Sequence, residues 1–531
     1  MNYYRCENPD CGFLAEEEPD VCPQCGGTFF LSVDEEELTG PDWVQLGNRA
    51  VDEERPTDAL ACYQQAAALD DMLGVTNLGW IGVPADPRQA VVLYAQAAAR
   101  DYMPALTNLG YCYAHGIGVA RDDSKAVECF RKGAENGFPR AQFLLGEAYS
   151  RGLGVEQSDE EAARWYQSAA WLGYPAAQTE LGRCLEFGTG LPQSIEQAVK
   201  WYRAAAENGN APGQCCLGFL YESGQGVEQS WEEAVRWYRA AAEQGMPRAQ
   251  CNLAWCYEYG KGVEQNWKRA VHWYRQAADQ EDPRGMFCMG ICCKYGRGVE
   301  QNWEEAVQWY RRAVDAGSAA AMCNLGVCYE RGEGVERDAA EAARLYRQAA
   351  EREDAAAQCN LGYLYETGEG VEQNWQEAVR WYQAAAEQGY PRAQCNLGVC
   401  WEFGHGVAKD PAKAADLYRQ AAEGGDRVAA CNLGYLYETG VGVAQSWADA
   451  VKWYRQAVEE SEPRAQYNLA WCYEHGKGVP RDLRQARELY QAAAKQGYAG
   501  AQEAADRMEK DGSRRRGGGF LRGFLDGLRG Q

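Results

Sequence analysis

The chain has 531 residues, with 53 basic against 77 acidic side chains, a formal net charge of −24, 46% hydrophobic and 12% aromatic residues. That much apolar material excludes a disordered body, and so acidic a surface argues against a phosphate backbone as the main partner, favouring protein segments with basic character. Residues Met1 to Asp10 carry no apolar leader core and no apolar run is long enough to span a bilayer, so a cytoplasmic protein is expected.

Residues 1–33 hold four cysteines in two pairs, Cys6 with Cys11 and Cys22 with Cys25, the second within Cys22-Pro23-Gln24-Cys25-Gly26-Gly27. In such a knuckle the turn aims backbone N–H groups at the thiolates while glycine takes a left-handed conformation, so that two sulfurs converge on one tetrahedral metal. About thirty residues contain too little apolar material to fold without a staple of this kind. The stretch resembles a zinc ribbon with a rubredoxin-type knuckle. The wider spacing between Cys6 and Cys11 departs from the commoner pattern, and iron or a redox dithiol stays open beside structural zinc. The set is closed, which implies no catalysis. Arg5 is the only basic residue from 1 to 48, so contact with protein, or capping of the rest of the chain, is a better expectation than nucleic acid. An acidic linker, 34–41, with a Thr39-Gly40-Pro41 turn, leads to Asp42 as the expected cap of the first helix.

From Ala105 to Gly500 one pattern recurs: Ala-x-x-x-Leu-Gly, then Tyr, Gly-x-Gly-Val, Ala-Val-x-Trp-Tyr and Ala-Ala. Its small anchor residue falls at Gly110, Gly146, Gly182, Gly218, Ala254, Gly290, Gly326, Gly362, Gly398, Gly434 and Ala470, always 36 residues apart. Looser copies are anchored at Gly47 and Gly79, at intervals of 32 and 31 residues. About thirteen units therefore fill residues 42–510, and a constant period of this size means a stacked array rather than separate globular domains. Within a unit such as Met246 to Gln280, Pro247 opens a helix whose Ala249, Leu253, Ala254 and Tyr257 share one face. Gly260 and Gly262 stop it, and Asn266 caps a second helix running from Trp267 to about Asp279. Ser230, Asn302 and Asn374 occupy the same capping slot. The unit is helix, turn, helix, and one unit alone cannot bury its apolar faces. The eighteen cysteines of the array recur by repeat position, for example Cys251, Cys323, Cys359, Cys395 and Cys431, or Cys112, Cys184, Cys256, Cys328, Cys400 and Cys472, and read as reduced packing residues.

This long, eleven-fold motif resembles the Sel-one-like repeat, a relative of the tetratricopeptide repeat, over about residues 74–500. The resemblance implies an all-α, right-handed α-α superhelical solenoid, bacterial in type, whose members act as non-enzymatic scaffolds and adaptors, with first helices lining a concave face. Three positions on those helices point to a groove for a protein or peptide. An Asn precedes the anchor Leu (Asn108, Asn252, Asn324, Asn360, Asn396, Asn432, Asn468). A large apolar residue follows the anchor (Tyr111, Phe219, Trp255, Tyr363, Tyr435 and Trp471 among them). A Glu comes three further on (Glu186, Glu222, Glu258, Glu330, Glu366, Glu402, Glu438, Glu474). Three-residue spacing puts them on one stripe, able to offer amides to a peptide, shelves to its side chains and carboxylates to its Lys or Arg. The competing structural reading is that Asn bonds the neighbouring repeat, the aromatics fill gaps and the Glu row is a solvated edge. Departures cluster at Glu147, Ser150 and Arg183, and again at Lys294.

Only four histidines occur, His115, His272, His405 and His475, each in a different repeat, so no catalytic cluster is expected. After Lys510 the chain turns Gly- and Arg-rich, and Phe520, Leu521, Phe524, Leu525 and Leu528 fall at helical spacing, as in a docking tail for a partner, a groove or a membrane surface. The expected function is thus a non-enzymatic scaffold. The alternative is a zinc-ribbon nucleic-acid factor with the array as its protein-docking arm.

Overall fold

Glycine and a capping residue punctuate every 36-residue interval, and in the computed structural model each interval is two helices joined by a tight turn. Residues 2–6, 13–15, 22–24 and 30–508 are described. They form a three-stranded sheet and then twenty-six paired α-helices from Gly40 to Lys495, succeeded by a helical stretch over 501–508. The chain divides into two compact units, Met1–Gln265 and Asn266–Gln531.

In the first unit, strands β1 (Asn2–Cys6), β2 (Leu14–Ala15) and β3 (Phe30–Asp34) pair antiparallel in the order β2-β1-β3, with Tyr4 opposite Ala15 and Tyr3 opposite Val33. The sheet packs on α1 (Gly40–Asp52) through a buried cluster of Tyr3, Leu14, Val33, Leu38, Trp43, Val44 and Leu46. The Arg5 guanidinium donates to Asp42 at 2.7 Å, and that of Arg49 donates to the Leu14 carbonyl while lying 5.1 Å from the Phe13 ring centroid. The expected cap of α1 needs correction: Thr39 is the N-cap and Asp42 the third helical residue, whose Oδ2 accepts from the Thr39 amide at 2.8 Å and from its hydroxyl at 2.5 Å. An acidic side chain three residues into a helix closes back on the cap more readily than it serves as one.

The helices of the array end where the glycines require. In the second unit the first helix Ala355–Thr367 stops at Gly368, φ 77°, and Gly370 comes two residues later at φ 69°. A Cβ on Gly370 would meet the Ala339 carbonyl oxygen at 2.1 Å, so the turn of one repeat lies against the start of the preceding second helix, Ala339–Ala350. Second helices open on side-chain caps: Ser230 accepts from the Glu233 amide at 3.3 Å, Asn302 from Glu305 at 3.0 Å and Asn374 from Glu377 at 3.1 Å. Neighbouring repeats are tied by buried glutamines. Gln358 Nε2 donates to the Ala350 carbonyl at 3.2 Å, which satisfies the C-terminus of the helix before it.

The centre of each repeat is an aromatic ring from the second helix lying over the anchor residue, a tyrosine everywhere except at Phe130. A Cβ on Gly362 would meet the Tyr382 ring at 2.8 Å, and Tyr382 is fully buried. Its hydroxyl donates to Glu366 Oε2 at 2.6 Å, sixteen residues back. The same bond joins Tyr202 to Glu186, Tyr238 to Glu222, Tyr346 to Glu330, Tyr418 to Glu402, Tyr454 to Glu438 and Tyr490 to Glu474 at 2.5–3.0 Å. Burial together with the facing carboxylate drives these phenols far above their ordinary range.

This packing sets the cost of breaking the pair. Glu366→Leu strands a buried hydroxyl and costs about 1–3 kcal/mol. Tyr382→Phe, which leaves a half-exposed carboxylate in water, costs less, and adding it to Glu366→Leu restores part of the loss; a double-mutant cycle by urea unfolding checks the order. The buried thiols Cys256, Cys359, Cys400 and Cys472 are pushed up to about 12, chiefly by desolvation. The folded chain therefore holds protons that the unfolded chain loses near pH 9, so stability falls as pH rises from about 9 towards 12, as a thermal-midpoint series in alkaline buffers will show.

Candidate interaction surface

The first helices carry every residue of the expected groove, and their side chains divide by slot. The residue after the anchor points outward. Trp255 is 36% exposed in the first unit, and Tyr363 and Tyr435 are 40% and 48% exposed in the second, while Trp471 is half-buried. The Asn slot is half-buried at Asn252, Asn324, Asn360, Asn396 and Asn432. Asn360 and Asn396 reach the sulfurs of Cys323 and Cys359 one repeat earlier at 3.7 and 3.8 Å, Asn324 donates to the Ala320 carbonyl at 3.0 Å, and Asn432 accepts from Arg464 of the next repeat. The Asn row is thus engaged with the framework through part of its hydrogen-bonding capacity.

The Glu slot has an internal role that differs from both a ligand contact and a solvated edge. Glu366, Glu402 and Glu438 each accept a tyrosine hydroxyl with one oxygen and remain half-buried; Glu258 is 9% exposed. A signal for this lay in pairs of positions sixteen apart. Where the slot is Ala114 the second-helix residue is Phe130, which has no hydroxyl to satisfy; where it is Ser150, a serine hydroxyl stands in the glutamate's place opposite Tyr166. Lys294 breaks the rule. It is buried, and the Tyr310 hydroxyl below it has no hydrogen-bond partner among the described residues. The Lys294 ammonium lies 5.4 Å from the ring centroid of Trp303 instead.

A second row of aromatics is hidden in the sequence because tryptophan directly after a helix cap looks like a simple first-turn residue. In the first unit Trp231 stacks on Trp255 at 5.7 Å between centroids, Tyr259 flanks Trp255 at 4.8 Å, and Lys261 covers Trp231. In the second unit Trp447 stacks on Trp471 at 5.6 Å, Trp471 on His475 at 4.3 Å, and Trp375 on His405 at 4.5 Å. The outward shelves therefore extend from first helices onto the start of second helices, with cations above the rings.

Around the departures at Glu147 and Arg183 the surface is less regular. Glu147 accepts from Arg151 at 3.1 Å, and burial raises its carboxyl above the usual range against the pull of Arg151. Arg183 lies 3.4 Å from Glu180 and, with Glu186, Phe187, Phe219 and Met246, borders a cavity of about 620 Å³. Phe187 and Trp171 are 68% and 72% exposed. Of the N-terminal ligand set, Cys22 is almost fully buried and Cys6 ends β1, while Cys11 and Cys25 lie outside the described residues. Among the described residues no group of three or more His, Cys, Asp or Glu is placed to hold a metal, and no helix is long and apolar enough to cross a membrane. Phe520, Leu521, Phe524, Leu525 and Leu528 also lie outside the described residues.

The chain is similar to solved structures of two bacterial repeat proteins. It is 34% identical to c5321, a protective antigen of uropathogenic Escherichia coli strains displaying an SLR fold, over 79% of this chain and 90% of that one, with a TM-score of 0.60. It is also 34% identical to a Sel1 repeat protein from Oxalobacter formigenes, over 46% of this chain and 96% of that one, with a TM-score of 0.43. Comparison with proteins of curated function gives no match. The Sel1 repeat model matches thirteen successive segments, beginning 49–71, 72–102 and 104–138 and ending 427–461 and 463–498. Such arrays generally act as protein-interaction scaffolds and are typically non-enzymatic. With the period, the paired helices and these matches in agreement, the chain belongs to the Sel1 repeat family.

Proposed function

We propose that this protein is a non-enzymatic scaffold that holds protein segments on the face made by its first helices. The carrying observation is the aromatic row, in which Trp255 of one unit and Tyr363 and Tyr435 of the other keep large rings on the surface. Tyr and Trp on a rigid helix supply large contact area at little entropic cost. The net charge of −24 favours basic partners, and with Arg5 already paired to Asp42 the N-terminal sheet gains no free cation for a phosphate backbone from that residue. Free cysteines throughout the helices suit a reducing compartment, the cytoplasm. The triple variant Trp255→Ala, Tyr363→Ala, Tyr435→Ala should keep its helical circular dichroism and lose a partner that the parent chain captures. Undiminished capture would sink the groove.

We further infer that Cys6, Cys11, Cys22 and Cys25 bind one structural zinc. Supporting this are the four-thiol donor set, the burial of Cys22 and the small size of the three-stranded sheet. When bound, the metal would act as a staple only. Native mass spectrometry should find one zinc per chain, absent from Cys25→Ser, with array helicity retained; a metal-free parent chain or a coloured iron site would overturn it.

A further inference from the structure

The repeat anchored at Gly79 lacks the Tyr-x-x-Gly step of the others, and its first helix, Met72–Gly82, reaches the next helix through four residues, 83–86, where the following repeat uses seven, 116–122. Two things result. The shortened turn leaves a cavity of about 480 Å³ in the first unit, walled by Trp80, Ile81, Pro84 and Tyr111. The slot that holds a glutamate in later repeats falls at Val83, beyond the end of the helix. Tyr94 keeps the central tyrosine position, lying against Gly79, and only 2% of it is exposed. Its hydroxyl forms no hydrogen bond among the described residues, and Tyr94 lines the cavity. Two other polar groups converge there: Arg140 donates to Asn108 Oδ1 at 2.9 Å and lies 6.0 Å from the Tyr111 ring centroid, leaving further guanidinium donors and the Asn108 amide available.

A pocket of this size, mostly apolar and with Tyr94, Asn108 and Arg140 in its wall, fits a ligand with a matching division of character. We propose that this cavity is a binding site for a bulky apolar group bearing a carboxylate, whose ring or chain lies against Trp80 and Ile81 and whose carboxylate takes hydrogen bonds from Arg140, Asn108 and Tyr94. The ligand supplies Tyr94 with the acceptor that the repeat's own sequence withholds. The site borrows Asn108 and Tyr111 from the stripe on the first helices, but it uses none of Trp255, Tyr363 and Tyr435 and does not rest on the scaffold reading. A free organic acid and the C-terminal residue of a peptide share this chemistry.

Calorimetry on the full chain tests it with 4-phenylbutyrate and decanoate as free acids, 4-phenylbutanol as the uncharged control, and a short peptide ending in Phe with its terminus free or amidated. An acid or the free peptide should bind at one site per chain, with the alcohol or the amide weaker by about tenfold or more, as expected for a charge-assisted contact. Which arm binds identifies the source. Arg140→Gln should weaken binding by about tenfold or more. Val83→Glu, which gives Tyr94 the carboxylate found in later repeats, should abolish binding without lowering the thermal midpoint; if that variant misfolds, Tyr94→Phe replaces it and should weaken binding. No binding in either arm, or binding indifferent to Arg140→Gln and to whichever second variant folds, would overturn the proposal.

Discussion

A phenol buried at the centre of a repeat must find an acceptor, and that requirement shapes this protein more than any other single contact. The second-helix tyrosine fits because the residue beneath it is glycine or alanine, and its hydroxyl is tolerable because a glutamate on the first helix reaches it. An unpaired hydroxyl at such depth would cost about as much as the net gain of several ordinary hydrogen bonds. Ring, glycine and carboxylate are therefore one device. The capping residues, paired glycines and buried glutamines place helices so that it can repeat.

The stripe on the first helices is accordingly divided between two tasks. Glutamate belongs half to the core and half to the surface, asparagine leans on the sulfur or guanidinium of a neighbouring repeat, and the aromatic position at Trp255, Tyr363 and Tyr435 is the most exposed of the three. The surface takes its individuality from places where the device changes: Ser150 beneath Tyr166, Lys294 above a Tyr310 hydroxyl unpaired among the described residues, and Val83, which offers Tyr94 no acceptor.

Much of the architecture was legible in the sequence because a fixed period repeats each clue. Helix ends follow from Gly260 and Gly262, second-helix starts from Asn266 and its equivalents, and burial of cysteine from its recurrence. The Glu row was harder. Read one position at a time, a recurring glutamate on a helix looks like solvent edge or ligand contact; only the joint pattern with a residue sixteen further on, Ala114 with Phe130 against Glu366 with Tyr382, betrays the hydrogen bond. Trp231 and Trp447 stack on partners in the next repeat, to which no local spacing rule points. The cavity at Trp80 follows from a missing segment, and an omission announces that something differs without saying what space it leaves. The N-terminal cap turned on a three-residue offset between Thr39 and Asp42, finer than sequence pattern resolves.

The buried thiols give the fold an asymmetry in time. At neutral pH a free cysteine is thiolate to a few per cent, whereas one whose pKa stands at about 12, as for Cys359 and Cys400, is ionised in only about one molecule in a hundred thousand. Oxidants and disulfide exchange act on the thiolate, so the folded array is chemically quiet despite its eighteen cysteines. Unfolding removes that protection from many sulfurs at once, and in an oxidising medium any disulfide formed in the opened chain would block its restacking. Loss of structure would then be one-way, and the lifetime of the protein outside a reducing environment would be set by its slowest opening rather than by its equilibrium stability.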